Sequence, residues 1–188
     1  MLGADPHVTR RDFLLNLMPE GSICAEIGVF KGEFSSRIFQ LVKPQRLHLI
    51  DPWKYEQSTT YEHTWYGGRL GMSQANMDHM FYAVAARFKH QRNAGTASIH
   101  RMESATAAGL FSNDYFDWVY IDGNHSYDYV RADLLNFYPK VKTGGFITGD
   151  DYGSQGWWGD GVTRAVDEFR RDCTTVLIQS SQFILQKT

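Results

Sequence analysis

The chain has 188 residues with ordinary shares of hydrophobic and charged side chains, which fits one folded domain over residues 1–188 and argues against disorder. A formal net charge of -2 gives no basis for binding nucleic acid or an anionic membrane surface. The two cysteines, Cys24 and Cys173, lack CxxC partners, no apolar run could span a bilayer, and the N-terminus lacks a signal-peptide core, so a cytoplasmic chain without a zinc or disulfide framework is expected.

Residues 1–8 read as a loose arm, followed by a helix with Phe13, Leu14, Leu17 and Met18 on one face. Pro19-Glu20-Gly21 ends it, so residues 1–20 form an N-terminal arm and helix. Ile23 to Val29 is a strand interrupted by Glu26, with Gly28 and Gly32 flanking the turn that follows. Phe34, Ile38, Leu41 and Val42 mark an amphipathic helix, closed by Pro44. A second strand, Leu47 to Ile50, runs out at Asp51-Pro52. Residues 53–72 are rich in Tyr, Thr, His, Trp and Gly without a period, which predicts an irregular loop over one end of the sheet. Met77, Met80, Phe81, Val84, Ala85 and Phe88 return to helical spacing. Ser98 to Met102 reads as a strand, and Ser104 to Leu110 as a short helix capped by Ser104.

The apolar run Val119 to Ile121 then ends in Asp122. A helix follows, with Val130, Leu134, Phe137 and Tyr138 on one face, Ser126 as its N-cap, and Pro139 and Gly144-Gly145 closing it. Phe146 to Thr148 is a strand that runs out at Asp150-Asp151. Val162, Ala165, Val166 and Phe169 form a last helix. Thr175 to Gln179 and Gln182 to Gln186, parted by Ser180-Ser181, form an antiparallel hairpin. Strands alternating with helices predict an α/β sheet with helices on both faces and right-handed crossovers.

Several residues carry candidate chemistry. The turn Glu26-Ile-Gly-Val-Phe-Lys-Gly32 is neither GxGxxG nor a P-loop, because Phe30 holds the middle glycine position and Lys31 precedes its glycine. Glu33 at the helix start disfavours phosphate. Glu26 either pairs with a nearby cation or holds a cation-bearing ligand. Asp51 lies about 20 residues past the glycine turn, as a ribose-binding acid should, unless it only shapes the Asp-Pro turn. Trp53 either offers its ring to a base or fills the loop. His125 is a candidate base or ligand, or a loop hydrogen-bonder. Trp157-Trp158 among glycines reads as a flap or as an anchor for the last helix.

If the strands ending in Asp122 and Asp150-Asp151 are parallel neighbours, three carboxylates converge on one sheet edge. At ~5 Å and an effective dielectric of ~20, each pair repels by roughly 3 kcal/mol. Three together need a cation, a proton or separation into solvent. A hard divalent ion such as Mg²⁺ on Asp122, Asp150 and Asp151 is the expectation.

The stretches Glu26-Ile-Gly-Val-Phe-Lys-Gly32, Leu49-Ile-Asp51-Pro-Trp53 and Tyr120-Ile-Asp122-Gly-Asn-His125-Ser-Tyr127, with GGFITGDDY downstream, resemble the class I S-adenosylmethionine-dependent methyltransferases. They are most similar to the small group with E-x-G-x-x-x-G and IDG-x-H-x-Y motifs. The resemblance implies a Rossmann-like, seven-stranded, mostly parallel sheet with a C-terminal antiparallel hairpin. It implies that Glu26, Gly28 and Gly32, with Phe30 in the same turn, surround the methionine part of the cofactor. Asp51 would bind the ribose hydroxyls with Trp53 beside it. Met102, Glu103 and Ser104 would lie by the adenine, Glu103 standing where Asp is common, and Asp122 would border cofactor and acceptor. The acidic trio is also similar to that of metal-dependent sugar O-methyltransferases and the cephalosporin hydroxylase-like group, in which such residues hold Mg²⁺. The implied activity is O-methylation of a small-molecule or sugar hydroxyl, assisted by a divalent cation, with His125 or Asp122 as base. The alternatives are a metal-independent methyltransferase and a non-catalytic S-adenosylmethionine-binding module. No nucleic-acid or membrane partner is expected, and an oligomer is left open.

Overall fold

The computed structural model describes residues 11–68, 73–170 and 173–188. The expected arm over 1–8 and the last four positions of the 53–72 loop lie outside them. The elements run α1 (Asp12–Leu15), β1 (Ile23–Ile27), α2 (Glu33–Leu41), β2 (Arg46–Ile50), α3 (Gln74–Arg87), α4 (Lys89–Asn93), β3 (Ala97–His100) and α5 (Ser104–Ala108). They continue with β4 (Phe116–Ile121), α6 (Tyr127–Phe137), β5 (Val141–Gly149), α7 (Gly161–Phe169), β6 (Cys173–Gln179) and β7 (Gln182–Lys187). The seven strands form one sheet in the order β3-β2-β1-β4-β5-β7-β6. β7 runs antiparallel to both β5 and β6, and every other pairing is parallel.

Alternation along the strands divides the core into two layers. Cys24, Leu47, Leu49, Trp118 and Tyr120 pack with Leu14, Phe34, Ile38, Met77 and Val84 on one face. Ala25, Ile27, Val119, Ile121 and Ile147 pack with Ala107, Val130, Leu134, Val162 and Val166 on the other. Glu26 shares the first face, a carboxylate inside an apolar layer. Cys24 is fully buried, as its apolar setting predicts.

Two local expectations are corrected. Ser104 does not cap α5: Glu103 is the N-cap residue, and the Ser104 hydroxyl is instead donated to Asp133 on α6. Gly144-Gly145 do not close α6. A short 3-10 turn, Tyr138–Lys140, follows that helix, and both glycines lie inside β5. There the register between β4 and β5 shifts, and a Cβ on Gly145 would lie 2.5 Å from the Asp117 carbonyl oxygen. The helical stripe from Met77 to Phe88 stands as expected, with Met77, Val84 and Phe88 buried in the first core layer.

Chain crossovers reverse between β1 and β4, whose neighbours β2 and β5 lead outward to opposite edges. The carboxyl ends of β1 and β4 therefore form a topological switch point, where open α/β sheets leave a crevice.

Candidate active site

Gly28 ends β1 with φ +91°, and any Cβ there would fall 2.0 Å from the Asp122 carbonyl oxygen. The two strand ends approach that closely because the Asp122 amide donates to the Ile27 carbonyl at 2.7 Å. Gly32, at φ +70°, is the N-cap of α2. Glu26 lies buried beneath this turn and accepts the Ser35 hydroxyl. Burial, opposed by that bond, pushes its carboxyl up to about 8. Ser35 is its hydrogen-bond partner among the described residues, so Glu26 keeps acceptor capacity for the ammonium group of the expected cofactor.

Asp51 is placed differently. Its Oδ2 accepts the Val29 and Phe30 amides at 2.9 Å each and the Tyr66 hydroxyl, while Oδ1 accepts the Trp53 amide at 2.7 Å. The carboxylate thus ties the turns after β1 and β2 together. Trp53 is fully buried, donates its indole N–H to the Phe30 carbonyl at 2.9 Å, and packs on Phe81. Its ring fills the loop base. Phe30 faces Trp65 and Tyr66.

Past the end of the neighbouring strand β3, Met102 packs against the second core layer, and the half-exposed Glu103 lies 3.8 Å from Lys54. Asp133, which sequence reasoning did not single out, receives Ser104, and burial raises its pKa to about 7. The signal was present: with Val130, Leu134 and Phe137 it occupies the buried stripe of α6, where a carboxylate is out of place.

Asp122, His125, Asp150 and Asp151 do converge. His125 lies between two carboxylates, with Nε2 3.2 Å from Asp122 Oδ1 and Nδ1 3.3 Å from Asp151 Oδ2. Burial opposes its charge, but the hydrogen bond to Asp122 and the surrounding carboxylates hold its pKa above the ordinary histidine value. Trp158 packs edge-on against its ring at 4.6 Å. Asp151 is itself in the left-handed region, at φ +60°.

Arg11, at the start of α1, was also missed from sequence. It donates to Asp122 Oδ2 at 2.6 Å and reaches Asp150 Oδ2. Asp150 Oδ1 receives Gln182 and the Asp151 amide, and the Tyr120 hydroxyl is donated to Gln182. One ligand atom each from Asp122, His125 and Asp151 lie within 4.8 Å of one another, a spacing compatible with a metal ion. Yet both oxygens of Asp122 and both of Asp150 are committed, and a guanidinium stands between them. The donor set as built does not fit the divalent ion expected on Asp122, Asp150 and Asp151.

Two loops meet over His125. Tyr61, from the loop after β2, receives the Asn124 side-chain amide at 2.8 Å and packs on Trp157. Trp157 stacks edge-on against Trp158. A cleft of about 340 Å³ opens in the first of these loops, lined by Tyr55, Glu56, Gln57, Ser58, Thr59, Glu62 and Gly68. Among the described residues, no helix is long and apolar enough to cross a membrane.

The sequence model of a family described as a methyltransferase domain matches residues 25–152, more than half of the chain. No curated protein matches the chain by sequence. Among solved structures, the N-methyltransferase NodS from Bradyrhizobium japonicum, in complex with S-adenosyl-L-homocysteine, is 16% identical. It superposes with a TM-score of 0.63 over 99% of this chain and 90% of that one. The 1,6-didemethyltoxoflavin-N1-methyltransferase from Burkholderia thailandensis gives 12% identity and a TM-score of 0.63, over 97% of this chain and 79% of that one. A Corynebacterium glutamicum protein gives 14% and 0.65, over 99% and 82%. The chain belongs to the methyltransferase-domain family, with the fold of the class I S-adenosylmethionine-dependent methyltransferases.

Proposed function

We propose that the chain methylates a hydroxyl of a small molecule, with His125 as the general base. The observation that carries this reading is His125 held between Asp122 and Asp151 at the mouth of the β1/β4 crevice. S-adenosylmethionine, when bound, supplies a methyl group already activated on a sulfonium. Glu26 would hold the cationic methionine end above the Gly28–Gly32 turn, and Met102, Glu103 and Ser104 would border the base. A hydroxyl acceptor must lose its proton as its oxygen gains the methyl. His125 would take that proton, and Asp122 and Asp151 would stabilise the imidazolium formed. Asp122 is the poorer base, because Arg11 holds its carboxyl below the usual range despite burial. The loops carrying Tyr61 and Trp157-Trp158 would cover the acceptor and exclude water. Divalent assistance has no part in this reading, since the oxygens it would use are engaged.

The test is methyl transfer from labelled S-adenosylmethionine to a panel of sugars, phenols and amines, with S-adenosylhomocysteine binding measured in parallel. His125→Ala should keep cofactor binding and lose about a hundredfold or more in turnover. Unchanged turnover in that variant sinks the base assignment. Label found on nitrogen alone sinks the hydroxyl. Cofactor binding without transfer to any acceptor favours the non-catalytic binding module.

A further inference from the structure

The convergence of Asp122, Asp150 and Asp151 demands a balancing charge, and the chain supplies one. Arg11 reaches Asp122 and Asp150 with separate guanidinium nitrogens, Nη1 and Nη2. Its seat is built from several directions. Leu14 and Leu15 are fully buried, and Asp12 pairs with Arg37 of α2, so the short helix that begins at Arg11 is pinned to the sheet. The guanidinium lies over the rings of Phe34 and Tyr120, at 5.4 and 5.9 Å from their centroids. Gln182 and His125 take the remaining oxygens of Asp150 and Asp122.

We propose that Arg11 is the resident cation of the acidic edge. Its guanidinium stands where the sequence resemblance places a divalent ion, and it keeps that ion out. An arginine stays charged at any working pH, so it cannot vacate the site by losing a proton. It can leave only by swinging away on its side chain, which would break both carboxylate contacts and its packing over Phe34 and Tyr120. Arg11 is therefore a positioning residue. By fixing Asp122 it fixes His125, whose Nε2 faces the other Asp122 oxygen. The effect on turnover rests on the methyl-transfer reading, but ion binding does not, since it needs neither acceptor nor cofactor.

The experiment is titration of the full chain with Mn²⁺ alone, followed by electron paramagnetic resonance of the free ion. Wild type and Arg11→Lys should leave the signal unchanged. Arg11→Ala should bind Mn²⁺ roughly 100-fold more tightly than wild type, because a like charge has been removed from the site. Adding Asp122→Asn to that variant should abolish the gain. A merely structural arginine would create no ion site on removal. Wild type that binds Mn²⁺ as tightly as Arg11→Ala overturns the proposal, and so does a folded Arg11→Ala that binds none. Should Arg11→Ala fail to fold, Arg11→Gln takes its place under the same criteria, and wild-type binding alone still overturns it. Loss of methyl transfer to every acceptor, with this Mn²⁺ pattern intact, would count against the proposed reaction and leave the resident cation standing.

Discussion

At the scale of single residues, Asp51 and Tyr66 make the sharpest case. Asp51 spends one oxygen on two backbone amides and on the Tyr66 hydroxyl. A ribose hydroxyl would present the same chemistry to that oxygen as the tyrosine does. If Asp51 binds the ribose, Tyr66 must yield, and Tyr66→Phe should tighten S-adenosylhomocysteine binding about fivefold, the worth of one hydrogen bond of ~1 kcal/mol. Calorimetry decides it: unchanged or weaker binding would mean that Tyr66 stays on Asp51 and that the acid only ties the turns. The strand-end acids were legible in sequence because each closes a strand that begins as an apolar run. Arg11 and Gln182 were not. Arg11 lies 111 positions from Asp122, and no local pattern couples two groups that meet only through the sheet order. The sole trace was the excess of carboxylate itself, which demanded a cation without saying which.

At the scale of elements, periodicity was readable and punctuation less so. The stripes of α2, α3, α6 and α7 follow from apolar spacing, and α7 buries Val162, Ala165 and Val166 as that spacing requires. Glycines misled where two jobs share one residue type. Gly144-Gly145 resemble a helix stop, yet they bend β5 where backbone approaches backbone. The β6–β7 connection shows what sequence leaves unsaid. Ser180 and Ser181 both have positive φ, at +51° and +62°, the backbone of a type I′ hairpin turn. Serine pays for that conformation where Asn-Gly would not. The double change Ser180→Asn, Ser181→Gly should therefore stabilise the fold by about 0.5–1 kcal/mol. Urea unfolding reads the gain as a higher midpoint at constant slope. A lower midpoint would mean that the contact between the Ser154 and Ser181 hydroxyls outweighs the backbone relief.

At the scale of the whole molecule, buried titratable groups set how stability responds to pH, and between pH 6.5 and 8 the raised carboxyls outweigh the lowered histidine. Glu26 is raised to about 8 and Asp133 to about 7, both chiefly by burial. In the unfolded chain each ionises in the ordinary carboxylate range, near pH 4. Between pH 6.5 and 8 the folded state thus holds protons that the unfolded state has released, so stability must fall as pH rises. Glu26 alone spans about 1.5 units of that window, worth about 2 kcal/mol. His48 acts elsewhere. Burial lowers it to about 4, with His100 and Arg46 adding to the effect, and its ring is hydrogen-bonded to His100 and Tyr115. Its contribution is complete only about a unit above the ordinary histidine value and is lost as pH falls toward 4, so it opposes the carboxyls weakly above pH 6.5 and more strongly below. Urea unfolding at pH 6.5 and pH 8 should give a clearly lower midpoint at pH 8, and Glu26→Gln should remove most of the difference. A flat or rising profile would mean that Glu26 is ionised in the fold. A bound cofactor that brings positive charge to Glu26 should shrink the drop, because it favours the ionised carboxylate that burial disfavours.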